Sequence, residues 1–164
     1  AHGIPHYAIS IGVEKNNKLF MGIIYDPNVN ELFFVEKNNG AFLNGKKIQV
    51  SKASELRYSV INLFSRTLKD NPEMTNPQIN LIRNAYVRMP MSAVLALAYT
   101  ACGRTDATVG SGQSKWDVAA GTLLVQEAGG TVSTINGDEF TINSKNLIAS
   151  NGIIHKKILD ELSR

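Results

Sequence analysis

Trp116 and Asp117 stand side by side near the start of residues 114–130, a stretch that reads as one helix with both ends written into it. Ser114 is a capping residue, and Asp117 three positions on gives an acidic form of the capping box. Gly129-Gly130 supplies a residue able to take positive φ and stop the helix. Between the ends Val118, Leu123, Leu124 and Ala128 are apolar, whereas Ala119, Ala120 and Gly121 are small enough for close backbone packing. The macrodipole favours a carboxylate in the first turn. Held by an adjacent packed indole, that carboxylate is placed to hold a hard cation or a metal-bound water. Its plainer role is to cap the helix while Trp116 packs.

The other chemical residues are sparse. His2 and His6 are four apart in an extended segment, which puts them about 13 Å apart and argues against a shared metal. His155 falls on a final helix and is expected to face solvent. Cys102 near a helix end reads as a small buried hydrophobe, and Lys46-Lys47 and Lys156-Lys157 as solvated charge. Neither a nucleophile-and-base triad nor a glycine-rich phosphate loop can be read.

The elements around these residues change character along the chain. Residues 6–14 alternate as a strand with Ile9, Ile11 and Val13 on one face. Strands over 19–25, 31–36, 41–43 and 46–50 follow, separated by Asn16-Asn17, Asp26-Pro27-Asn28, Asn38-Asn39-Gly40 and Asn44-Gly45, the last a strong hairpin signal. Such short connections imply an antiparallel meander. Beyond residue 51 come a strand over 59–63, a helix from Asn76-Pro77 to about 84, an extended 86–89 and an apolar helix over 92–102. A strand over 105–109 and a flexible loop over 110–113 lead into the Trp-Asp helix. Strands over 131–135 and 147–150 precede a last helix over 153–162, capped by Asn151. The expected organisation is a β-meander over 1–50 and an α/β half over 51–164, with helices layered on a sheet.

Composition sets outer bounds. The chain's 164 residues suffice for a real core. Hydrophobic content of 43%, charged content of 19% and a net charge of +3 are ordinary for a globular domain. No basic run marks a nucleic-acid binder, no apolar stretch approaches a membrane span, and the lone cysteine fits a reducing cytoplasm. The opening Ala1-His2-Gly3-Ile4-Pro5 carries neither an initiator Met nor a leader pattern, and reads as cut.

Trp116-Asp117-Val118-Ala119-Ala120-Gly121, followed by Glu127-Ala128-Gly129-Gly130, resembles the C-terminal signature of the inositol monophosphatase family of magnesium-dependent phosphatases. Gly40-Ala41-Phe42 with Asn44-Gly45 resembles that family's hairpin. Gly103-Arg104-Thr105-Asp106 is similar to the segment before its Trp-Asp helix, and the likeness covers the whole chain. It implies part of a five-layered α-β-α-β-α sandwich, Mg²⁺ as cofactor, and a small sugar or polyol phosphate as substrate. It also implies that Asp117 is a metal ligand touching substrate, that Ser92 and Ala93 shape the substrate pocket, and that Ser65 contacts ligand.

The resemblance has gaps. The family's Asp-Pro-x-Asp-Gly-Thr motif, which supplies most of the metal cage and cradles the phosphate, is not in this sequence, so Asp117 is the one metal ligand of the set and no catalytic residue is assigned. Met91 stands where a Gly is usual and Ala96 where bacterial members often have Asp. Gly110 falls where an inositol-binding Glu is usual, which predicts poor discrimination among inositol, glycerol and ribose phosphates. The expected partners are a small phosphate ester and either a second copy, as a dimer, or a separate N-terminal polypeptide, since Ile9, Ile11 and Val13 would otherwise lie uncovered. The competing expectation is a degenerate, non-catalytic binding module.

Overall fold

The structure, a computed structural model, describes residues 3–65 and 75–163, without the side chains of residues 65 and 75–77. The sequence-predicted reading at His2 lies outside the described residues.

Two five-stranded sheets organise the chain. The first is an antiparallel meander of β1 (Ile9–Lys15), β2 (Lys18–Asp26), β3 (Glu31–Glu36), β4 (Gly40–Leu43) and β5 (Lys46–Lys47), in sequence order. Its turns follow local chemistry. Asn16 and Asn17 take φ of 53° and 59°, and Asn44 and Gly45 take 48° and 76°. These left-handed pairs match the twist of the flanking strands.

The second sheet is mixed, ordered β7 (Tyr86–Arg88), β6 (Val60–Ser65), β8 (Ala107–Ser111), β10 (Asn146–Ser150) and β9 (Thr131–Ser133). β6 runs parallel to β7 and β8, while β10 is antiparallel to β8 and β9. The helices are α1 (Thr75–Asn84), α2 (Ala93–Ala101), α3 (Lys115–Glu127) and α4 (His155–Leu162).

α2 and α3 lie between the sheets, and α1 and α4 cover the far face of the second sheet, so the layers run β-α-β-α. The alternation of side chains explains why. Ile61, Leu63, Ala107, Val109 and Ile148 pack with Leu81, Ile154 and Ile158 on the α1/α4 side. Leu147 and Ala149, one position out of phase, join Leu97, Leu124, Ile24 and Phe33 in the core around α2 and α3.

Small residues let α3 approach both neighbours. A Cβ at Gly22 would lie 2.9 Å from the Ala120 Cβ, and one at Gly12 would lie 2.7 Å from that of Ala119. The Gly-Arg-Thr-Asp segment ties the halves together. Arg104 pairs bidentately with Glu31 at 2.6 and 2.5 Å, and Asp106 accepts from the Ser51 hydroxyl at 2.5 Å and the Val60 N–H at 2.7 Å.

The other face of the first sheet is apolar and open. Ile9, Ile11, Val13 and Leu32 are exposed, and by register Tyr25, Ile23 and Met21 stand opposite the first three.

Several boundaries differ from the sequence reading. β8 continues through Gly110 and Ser111, which pair with Leu147 and Asn146 instead of forming a loop. β6 continues to Ser65, paired with Ser111, so Ser65 is within the strand rather than beyond it. The last helix starts at His155, where Asn151 Oδ1 accepts from the Ile154 N–H one turn earlier. His155 itself is buried, its ring nitrogens 2.9 Å from the Ser133 hydroxyl and 2.8 Å from that of Ser150. The reading that put it in solvent missed two serines distant in sequence or hidden in a strand. Burial holds its pKa below the ordinary histidine value.

Candidate active site

α2 and α3 begin at the same place. Ser92 caps α2, its hydroxyl accepting the Leu95 N–H at 3.3 Å. Ser114 caps α3, and its N–H donates to Asp117 Oδ2 at 3.1 Å. The acidic capping role read from the sequence is therefore present, and it uses one carboxylate oxygen. The other has no hydrogen-bond partner among the described residues.

Both helix starts open onto one cavity of about 440 Å³, lined among others by His6, Phe64, Ser92, Ala93, Gln113 and Asp117. First-turn N–H groups and aligned peptide dipoles make a helix N-terminus attractive to anions. Here two such termini and the Asp117 carboxylate line one cavity.

Asp117, Ser92 and Ala93, far apart in sequence, are thus brought together. The side chain of Ser65 lies outside the description, although its backbone pairs with Ser111, another residue of the cavity wall. Ala96 is buried, and its carbonyl accepts from Asn62 and Thr108 in a polar cluster that also includes Thr100 and Thr105. It takes no part in the lining.

Trp116 corrects the sequence reading. It is 72% exposed and does not brace Asp117 by packing. Its contribution is a backbone carbonyl that accepts from the Ser10 hydroxyl at 3.2 Å, tying β1 to the first turn of α3. The glycine at position 110 also gains a cause. Phe64 lies opposite it in the parallel pair, and a Cβ on Gly110 would come within 2.2 Å of the Phe64 ring. The ring fills the space in which a side chain at 110 would begin.

Phe64, Gln113 and His6 escaped the sequence reading as members of this site. Continuing the alternation of the 59–63 strand by one residue would have put Phe64 on the same sheet face as Asn62. No local signal marks Gln113 or His6.

The Mg²⁺ implied by the resemblance finds only part of a site. Among the described residues no group of three or more His, Cys, Asp or Glu side chains could hold a metal. Mg²⁺ is usually bound through one or two carboxylates together with substrate phosphates and water. Asp117 offers one such carboxylate, so these residues alone do not complete a cage.

Two five-stranded sheets with helices between them and on the far face form a mixed α/β sandwich, the fold class that the resemblance implies. The chain belongs to the inositol monophosphatase family, whose model matches residues 1–164. A fructose-1,6-bisphosphatase/inositol-1-monophosphatase of Thermotoga maritima is 36% identical over 96% of this chain and 60% of its own length. A Nus factor SuhB of Pseudomonas aeruginosa is 34% identical over 96% of the chain and 60% of its length. Among solved structures, the extragenic suppressor protein suhB of Bartonella henselae superposes with a TM-score of 0.94 at 36% identity, over 99% of this chain and 64% of that one. This chain therefore spans about 60% of the length of the curated relatives it matches.

Proposed function

We propose that this chain is the Asp117-bearing portion of a Mg²⁺-dependent phosphomonoesterase that acts in the cytoplasm on a small sugar or polyol phosphate. The observation that carries the reading is the shared cavity lined by the starts of α2 and α3 and by the half-free carboxylate of Asp117. Phosphate-ester hydrolysis requires neutralised charge on the phosphoryl oxygens and an oriented water. The helix starts supply the first in part. Asp117 supplies one anionic ligand for Mg²⁺, the group that would provide Lewis-acid chemistry when bound. Ser92 and Ala93 line the substrate side.

The chain carries one ligand of the metal set, so in isolation it is expected to be inactive. Activity needs residues equivalent to the Asp-Pro-x-Asp-Gly-Thr motif, which residues 1–164 do not contain. The open apolar face of the first sheet fits a partner polypeptide or a second copy, because uncovered apolar strands associate.

The test is to assay phosphate release with Mg²⁺ from the chain alone and from the chain mixed with a polypeptide bearing that motif. Release only in the mixture supports the reading. Release from a monodisperse monomer alone would refute the division of the site, and none from either would refute the phosphatase reading.

A second reading rests on a separate observation. No metal-holding cluster occurs among the described residues, and several similar relatives carry the name Nus factor SuhB. On that reading the chain is a binding module without catalysis, and its partner-binding would survive loss of the Asp117 charge.

A further inference from the structure

His155, Ser133 and Ser150 form a buried polar cluster where α4, β9 and β10 meet. Counting donors fixes where its protons lie. The Ser133 hydroxyl donates to the Thr134 carbonyl at 2.7 Å, so it meets His155 Nε2 at 2.9 Å as an acceptor. Nε2 therefore carries the ring proton, and Nδ1 is the bare nitrogen of a neutral imidazole. Ser150 completes the chain, accepting from the Gly152 N–H at 3.1 Å and donating to Nδ1 at 2.8 Å. The opposite tautomer turns the Ser133 hydroxyl away from the Thr134 carbonyl and leaves the Ser150 proton without an acceptor in the cluster. One protonation state thus satisfies every group, with all donors running from Gly152 to Thr134.

We infer that this relay is a proton-sensitive latch that fastens α4 to the second sheet through β9 and β10. A proton added at Nδ1 makes that nitrogen a donor facing the Ser150 hydroxyl. Ser150 then accepts from both Gly152 and the ring, and its own proton becomes a buried unpaired donor, which is costly. The new charge is also uncompensated. The neighbouring elements carry Arg83 on α1, Asp138 and Glu139 in the turn after β9, and Lys156, Lys157, Asp160 and Glu161 on α4. None of these hydrogen-bonds to the ring, and burial alone depresses its pKa. The neutral ring is therefore the latched form, and the latch loosens as pH falls below the ordinary histidine value of about 6.5. Ile154, Ile158 and Leu162 share a core with Ile61 and Ile148, so release of α4 uncovers an apolar patch on that sheet.

Two NMR measurements on the 164-residue chain test the latch. Ring-nitrogen shifts of isotope-labelled histidine at pH 7.5 report the tautomer, and His155 should carry its proton on Nε2. Amide hydrogen exchange, corrected for the intrinsic pH dependence of exchange, follows protection between pH 7.5 and 5. Protection in α4 and β9 should fall about tenfold, the scale of one net hydrogen bond, while that of β6 and β8 holds. His155→Gln should remove most of that pH dependence.

A ring protonated on Nδ1 at pH 7.5 would overturn the inference. So would α4 protection that stays constant across the range, that falls equally in β6 and β8, or that keeps its slope in His155→Gln. If His155→Gln does not fold, the tautomer and the exchange profile of the wild-type chain decide by themselves.

Discussion

Gly121 sits in the middle of α3, facing α2, and tests whether close helix packing sets the spacing of the site. A Cβ placed on it would lie 2.5 Å from Leu97 Cβ and 2.7 Å from Leu97 Cδ1. Ordinary carbon contacts need about 3.5–4.0 Å, so the shortfall is about 1 Å. The nearest atom is a Cβ fixed to the α2 backbone, so rotating a side chain does not relieve it. Two effects oppose each other in Gly121→Ala. Helix propensity favours alanine by about 1 kcal/mol, and overpacking costs roughly 1–3 kcal/mol. Because the helices themselves must part, the upper half of that range applies and the net loss is about 1–2 kcal/mol. At roughly 2–4 °C per kcal/mol for a chain of this size, the melting temperature should fall by roughly 2–8 °C. The assay is thermal and urea unfolding at fixed protein concentration, since self-association would shift the apparent midpoint. α2 begins at Ser92 and Ala93 and α3 begins beside Asp117, so parting the helices also widens the cavity mouth. A Gly121→Ala chain that melts higher than wild type would refute the packing argument, because propensity would then have outweighed contact.

Asp117→Asn keeps an acceptor for the Ser114 N–H and removes the charge. Stability should change by no more than about 1 kcal/mol, while Mg²⁺-dependent turnover in the complete assembly drops by orders of magnitude; near-normal rates would reduce Asp117 to a helix cap. The chain alone is expected to scatter light as an oligomer, and Ile11→Lys on the open sheet face should raise the monomer fraction, whereas an unchanged mass distribution would place the contact elsewhere. His155 has a folded-state pKa lowered by burial. Its contribution is therefore fully present above the unfolded value of about 6.5 and is lost as pH falls below it towards the folded pKa. Melting curves between pH 7.5 and 5 should show that loss, and His155→Gln should flatten it; an equal slope in both proteins would exclude His155 as the cause.

Local information was enough for much of the frame. The left-handed turns at Asn16-Asn17 and Asn44-Gly45, the cap at Ser114 and the positive φ of Gly129 depend on side chains within a few residues of the backbone they shape. Strand periodicity likewise located both sheets, and the small residues 119–121 announced a closely packed helix. What the tertiary structure decided were contacts between residues far apart in sequence. His155 became buried because Ser133 and Ser150 meet it, and Trp116 remained exposed because no element among the described residues folds over it. Phe64 determined that position 110 carries no side chain, 46 residues away, through the parallel pairing of β6 with β8. Periodicity reports which face of an element is apolar but not which element will cover it. The shape and polarity of the Asp117 cavity were therefore fixed only when the segment before β1, β6, β8, α2 and α3 converged.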